Sequence, residues 1–311
     1  MNQRRSFSQT TPDRQHGAAL LVFMLIFFLA GTSLILSQVD SLRLRREADR
    51  ATSAALAHAR EALIGRAVAD SKMPGSLPCP SGDDSGEASL LSGNDCPAYI
   101  GRLPWKTLAL NTLRDGNGNT LWYVLAPEFR DDDSAAPLNP KELELWHGLT
   151  LDGTERIAAI VLSTGPPLAG QNGRPSNELN DYLEGANLNG GPYISGPTSP
   201  AFNDKTIAIS HDQLFSVVNR RIMGLLSSGL DKYYNDPPNN NLYPEDGVVL
   251  KTKLDQYLDT TTKTMLNTNG WYAITTYTPA ADRRSATLAI TVSPAITCTI
   301  MPAQKPSCTH P

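Results

Sequence analysis

The sequence predicts an α+β protein: a long amino-terminal α-helix, apolar in its first half, packed on an antiparallel β-sheet, with an additional helix and long loops. Three observations predict it. Residues 18–36 form a run of 19 nearly uncharged residues, directly after a polar leader, residues 1–16 (MNQRRSFSQTTPDRQH). No proline falls between Pro12 and Pro74, although the chain has 23. Beyond residue 70 the chain breaks into short apolar segments separated by Asn, Gly and Pro clusters, as in a sheet with irregular connections.

The apolar run begins at Ala18 and is long enough to cross a bilayer, because about 20 residues at about 1.5 Å each match a hydrocarbon core of about 30 Å. A secretory signal core is shorter, about 7–15 residues, and ends in a small-x-small site. The segment is therefore expected to stay in the mature protein. From Gln38 onward, Leu42, Ala48, Ala51, Ala55, Ala59, Ala62 and Leu63 recur at spacings near three and four, with Arg43, Arg45, Arg46, Arg50, Arg60, Glu61 and Arg66 between them. A continuous helix from Ala18 to Ala69 would run for about 80 Å at 1.5 Å per residue. The expected division is a leader over 1–17, a transmembrane and assembly helix over 18–70, and a globular body over 71–311.

Within the body, residues 120–126 (TLWYVLA), 156–162 (RIAAIVL), 206–209, 271–277 (WYAITTY) and 285–292 (SATLAITV) read as strands. The last two alternate like an antiparallel hairpin with one wet face, joined by a turn-like connector at 278–284. Ser210 followed by Gln213 has capping-box spacing, and the helix it opens runs through LFSVVNRRIMGLLSSGLDKYY and stops before Pro237-Pro238. No repeat at solenoid spacing is present.

All four cysteines, Cys79, Cys96, Cys298 and Cys308, lie in the body. Four cysteines allow three pairings, and locality favours Cys79 with Cys96 and Cys298 with Cys308. Such stapled loops belong to an oxidising compartment. Neither pair has the CxxC spacing of a structural zinc site. Basic residues flank both ends of the apolar run, Arg4, Arg5 and Arg14 before it and the arginines at 43–50 after it, so their count does not orient it. The oxidised body does: it lies outside the cytoplasm, with the leader inside.

Gly17 followed by Ala18-Ala19-Leu20-Leu21 resembles the processing site of type IV prepilins and of the pseudopilins of type II secretion. The series LPCP (77–80), GRLPW (101–105), DGNGNTLWYVLAPEF (115–129), STGPPLAGQNGR (163–174), YLEGANLN (182–189) and SHDQLFSVVNRRI (210–222) looks like the periplasmic body of large minor-pilin-like proteins. The resemblance implies a pilin-like fold and cleavage by a prepilin peptidase after Gly17, which leaves Ala18 as a methylated amino terminus. It also implies assembly with other pilin or pseudopilin subunits, and an inner-membrane anchor with the body in the periplasm. One position departs from the pattern: the usual glutamate at the fifth mature residue is Val22 here. Without that carboxylate to meet a neighbouring amino terminus, the resemblance points to a minor subunit at the tip or in the priming complex. A membrane-anchored adhesin and an anchored periplasmic enzyme are the alternative classes.

Other chemistry finds little footing. Asp115, Asn117 and Asn119 alternate like the start of a calcium loop, but its sixth and twelfth positions are Thr120 and Ala126 instead of Gly and Glu. Related secretion pseudopilins bind calcium, so these three remain the candidate positions; the expectation is otherwise no cofactor. Asp131-Asp132-Asp133 reads as a solvated loop. His16 and His310 lie near the ends, and His58, His147 and His211 stand beside no evident nucleophile. GxSxG, HExxH, GxxxxGK[ST] and GxGxxG are absent, and no enzymatic activity is expected. The net charge is −4, and −6 without a leader of three arginines and one aspartate, which excludes the basic footprint of a nucleic-acid binder. The arginines at 43–50 are placed to meet lipid headgroups.

Overall fold

The computed structural model describes residues 16–132, 134, 137–247 and 250–309, with the side chains of 16–19 and 31–41 outside the description. In chain order the elements are α1 (His16–Ala69), β1 (Ile100–Arg102), β2 (Trp122–Leu125), β3 (Leu149–Leu151), β4 (Thr154–Ser163), α2 (Gly185–Leu188), β5 (Lys205–Ser210), α3 (His211–Asn235), α4 (Leu250–Leu254), α5 (Thr260–Thr268), α6 (Trp271–Ile274), β6 (Thr275–Pro279), β7 (Ala286–Ile290), β8 (Ile296–Ile300) and β9 (Ser307–Thr309). The architecture is mixed α+β, and every pairing between these strands is antiparallel.

The chain falls into two units, Met1–Arg50 and Ala51–Pro311, so the boundary lies within α1 and not at its end near residue 70. The physical reason is burial. From Thr52 onward the helix sinks a stripe of Ala55, Leu56, Ala59, Leu63 and Ala67 into the main core, the last three fully covered. Leu42, expected on the same stripe, is instead 53 % exposed. The helix already includes His16 and Gly17, ahead of the expected start at Ala18.

The main sheet orders its strands β1-β2-β4-β3, and β5 pairs along the other flank of β4. Both faces are buried. Leu121, Tyr123, Leu125, Ala159 and Val161 face the main core with α1 and α3, while Trp122, Val124, Ile157, Ile160 and Leu162 face a second cluster under Tyr182, Leu183 and Tyr193. Strict alternation would separate Ile157 from Ile160. A register shift between Ile157 and Ala159 inserts the extra residue that keeps both on one face.

The expected capping box forms at α3: Ser210 Oγ accepts from the Gln213 N–H at 3.2 Å, and Gln213 Oε1 accepts from the Ser210 N–H at 3.2 Å. The helix ends at Asn235, before Pro237. The second sheet runs β6-β7-β8-β9, with Ala286, Leu288, Ile290, Ile296, Cys298 and Ile300 turned into the main core and the threonines between them turned outward. Residues 271–274, expected as strand, form a helical turn. Gly270 in the left-handed region (φ 69°) redirects the chain and sets Trp271 into full burial before β6 begins.

Because Leu63 is fully buried in the stripe, Leu63→Ala is expected to destabilise the body by about 2–5 kcal/mol. Chemical denaturation of the full chain measures it, with Leu42→Ala, on an exposed turn of the same helix, expected to be near neutral.

Candidate functional site

The first candidate surface is the amino-terminal part of α1. The large apolar side chains of residues 20–29 are each 55–77 % exposed, with Val22 at 55 % and Phe28 at 77 %. An all-apolar helix that leaves these side chains uncovered is a binding element for lipid or for other helices. The backbone of Gly17 and Ala18 is helical. The Ala18 side chain, and residues 1–15 of the expected leader, lie outside the described residues. Among the described residues no helix is long and apolar enough to cross a membrane. Of the expected span, the side chains of 18, 19 and 31–36 fall outside that description.

At the other end of α1 a polar clamp closes the helix. Arg221 of α3 donates through Nη1 to the backbone oxygens of Val68 and Asp70, carbonyls that a helix end leaves without intrahelical donors. Arg66 bridges Asp70 at 2.7 Å and Asp131 at 2.9 Å. Burial pushes the Asp70 carboxyl up, but the backbone N–H of Met73 and the Arg66 guanidinium outweigh it, and the net shift is downward. The stability this lends is present above the ordinary carboxylate range and is lost as pH falls through it. Asp131 and Asp132 are therefore not simply a solvated loop: Asp132 is buried and accepts from Ser134 Oγ at 2.7 Å, while Asp133 lies outside the described residues.

Asp115 serves a turn. Its Oδ1 accepts from the N–H groups of Asn117 (2.8 Å) and Asn119 (2.9 Å), and its Oδ2 from Ser163 Oγ (2.8 Å) and Asn119 Nδ2 (3.4 Å). Asn119 thus turns its amide nitrogen toward the carboxylate, and donates from the same nitrogen to the Gly165 carbonyl at 2.8 Å. The Asn117 side chain is exposed. Gly116 N–H donates to Thr52 Oγ1 at 2.9 Å, tying the turn to α1. Among the described residues, no three His, Cys, Asp or Glu side chains gather where they could hold one ion.

The histidines have ordinary company. His58 is exposed on α1, and His147 Nδ1 sits 3.1 Å from Glu155. His211 is fully buried, with Nδ1 at 2.7 Å from Asp212 and 2.9 Å from Arg156, and burial holds its pKa below the ordinary value. These partners of His147 and His211 are carboxylates and a guanidinium.

Cys79 bridges Cys96 (S–S 1.99 Å), and Cys298 bridges Cys308 (S–S 2.08 Å). The first closes the loop that follows α1. The second staples β9 to β8 at facing positions.

Sequence reading missed a polar network between β4 and β5. Glu184 accepts from Gln171 Nε2 (2.6 Å) and from the Asn203 N–H (3.1 Å); Asp204 Oδ2 accepts from Asn187 Nδ2 (3.0 Å) and the Glu184 N–H (3.4 Å). Beside it the Arg102 guanidinium lies 4.1 Å from both the Trp122 and the Tyr182 ring, and that of Arg174 4.6 Å from Tyr182. No spacing signals this grouping, because its members come from separate turns of an irregular segment. Comparisons of the chain with protein-family models, with curated proteins and with solved structures found no match.

Loss of the first bridge in Cys79→Ser is expected to cost about 3 kcal/mol for a loop of this length, read as a lowered denaturation midpoint. Asp115→Ala is expected to cost on the order of 2 kcal/mol through the donors it strands. Millimolar calcium is expected to leave the wild-type melting temperature unchanged, and a calcium-dependent rise lost in Asp115→Ala would instead assign the turn to a metal.

Proposed function

We propose that the chain is a minor pilin or pseudopilin, a structural subunit of a type IV pilus or type II secretion filament, with a pilin-like body. The observation that carries this reading is the division of α1. Its first part leaves large apolar side chains exposed, as a helix that binds lipid or sister helices must. Its second part is built into the core of a disulfide-stapled α+β body. The polar-to-apolar junction at Gly17-Ala18 supplies a processing site at the start of the helix. On this reading the partners are a prepilin peptidase, other subunits and the inner membrane, with the body in the periplasm.

Val22 gives the reading its position. A carboxylate inside an apolar helix bundle is costly unless a partner charge meets it, and a pair fixes register between neighbours. Val22 cannot accept a neighbour's amino group, so this subunit fits the end assembled first, where no earlier neighbour presents one. A loop-rich body is also sterically tolerated at a tip.

Intact-mass measurement of the membrane form tests the reading. The expected species begins at a methylated Ala18 and carries two disulfides. Gly17→Phe is expected to retain the leader, and deletion of the protein to lower filament number or secretion. A wild-type chain beginning at Met1, or labelling at even spacing along filament shafts, contradicts the proposal.

A further inference from the structure

We propose that Asp204, buried in one network with Glu184, holds a proton and acts as a pH-operated latch that keeps the segment between β4 and β5 over the second apolar face of the main sheet. The latch does not rest on the filament reading.

The segment, residues 164–204, leaves β4 after Ser163 and returns to β5 at Lys205. Its Tyr182, Leu183 and Tyr193 cover Trp122, Val124, Ile160 and Leu162, so its attachment decides whether that face meets water. The attachment is polar. Glu184 is 8 % exposed and Asp204 fully buried, and the Glu184 N–H donates to Asp204 Oδ2 at 3.4 Å. Every donor that reaches them is neutral and already placed. Glu184 takes the Gln171 amide and the Asn203 N–H; Asp204 Oδ2 takes the Asn187 amide and the Glu184 N–H. Asp204 Oδ1 is buried with no donor. A fully buried carboxylate with an oxygen that no donor reaches, in one network with a second acid, disfavours its own charge. A proton on Asp204 removes that charge.

Among the described residues, the charged and titratable groups near the pair include Arg174, Asp181, Tyr182 and Tyr193 of the same segment, Arg102 of β1, Asp115 of the turn before β2, and Lys205 at the start of β5. Arg174 spends its N–H groups on the carbonyls of Gly165, Asp181 and Tyr182 and on Gln171 Oε1. Burial pushes the Asp204 carboxyl up; the Asn187 amide pulls it back, Glu184 adds to the rise, and it settles at about 7. A carboxyl so raised lends stability that is complete below the unfolded value near 4 and is lost as pH rises through about 7. Once Asp204 ionises, the segment is expected to detach by local opening while the rest of the body stays folded.

Hydrogen exchange of the full chain in detergent, read by mass spectrometry and corrected for intrinsic exchange, tests this. In wild type, protection of peptides covering 179–203 is expected to fall by up to about tenfold per pH unit between about pH 4 and about 7 and to level off above, with peptides of β6–β8 unchanged. Asp204→Asn keeps the shape and removes the proton, and its protection there is expected to be independent of pH. Should that variant not fold, Glu184→Gln is expected to shift the wild-type transition, since it leaves one acid alone. Infrared difference spectra of wild type at about pH 6 should in addition contain a protonated carboxyl band, lost by about pH 9, which needs no variant. Flat wild-type protection between about pH 4 and about 7, equal pH slopes there in wild type and variants, or absence of that band overturns the latch.

Discussion

The body depends on one packing constraint, the burial of Ala55, Ala59, Leu63 and Ala67 from the second half of α1 in the main core. Three of the four are alanines. Small side chains let a helix axis approach its neighbours closely, and a stripe of them sinks a helix deep without overfilling the space. Around this stripe the core collects Tyr123, Leu125 and Val161 from the main sheet, Phe215, Val218 and Ile222 from α3, and Leu288 and Ile296 from the second sheet. The clamp of Arg221 on the last carbonyls of α1 then satisfies groups that close packing would otherwise strand. The helix is thereby part of the body for its last third and a separate element before that.

A second constraint follows from the first. With α1 and α3 on one side, the main sheet has an apolar opposite face, because β2 and the 157–162 stretch of β4 are apolar throughout. A sheet buried on both faces needs two covers. The second cover here is not a helix but the irregular run between β4 and β5, whose own backbone and side-chain polar groups must find partners inside the protein. That need explains the density of Asn, Gln, Arg and acidic side chains there, and the arginines stacked on Trp122 and Tyr182. Chemistry-bearing side chains in this region hold loops in place.

The same economy governs Asp115 and Asp131. Each is an acidic residue in a turn-forming sequence. Asp115 is consumed by local donors and by Ser163, and Asp131 by the distant Arg66 and Ser76. Both link loops to α1 or to β4, so the acidic turns belong to the scaffold that carries the exposed end of the helix. The function proposed above accordingly rests on that exposed surface and not on any cluster within the body.

Features written in consecutive residues were legible in the sequence: the apolar run, the long proline-free helix, the Ser210–Gln213 cap, the stop before Pro237, and the strands at 122–125, 156–162 and 206–209. Each depends on periodicity or on contacts a few residues apart. The strand ITCTI at 296–300 alternates as plainly, and sequence reading missed it. Residues 271–274 were not legible, because an apolar run of that length satisfies helix and strand alike, and Gly270 with the burial of Trp271 decided between them. The bulge at Ile157, the boundary within α1 and the meeting of Glu184 with Asp204 were also beyond reach. The sequence by itself determined which segments are apolar and how they repeat; only the tertiary structure decided which face each one turns inward and which buried charges come to share a space, since those depend on partners far away along the chain.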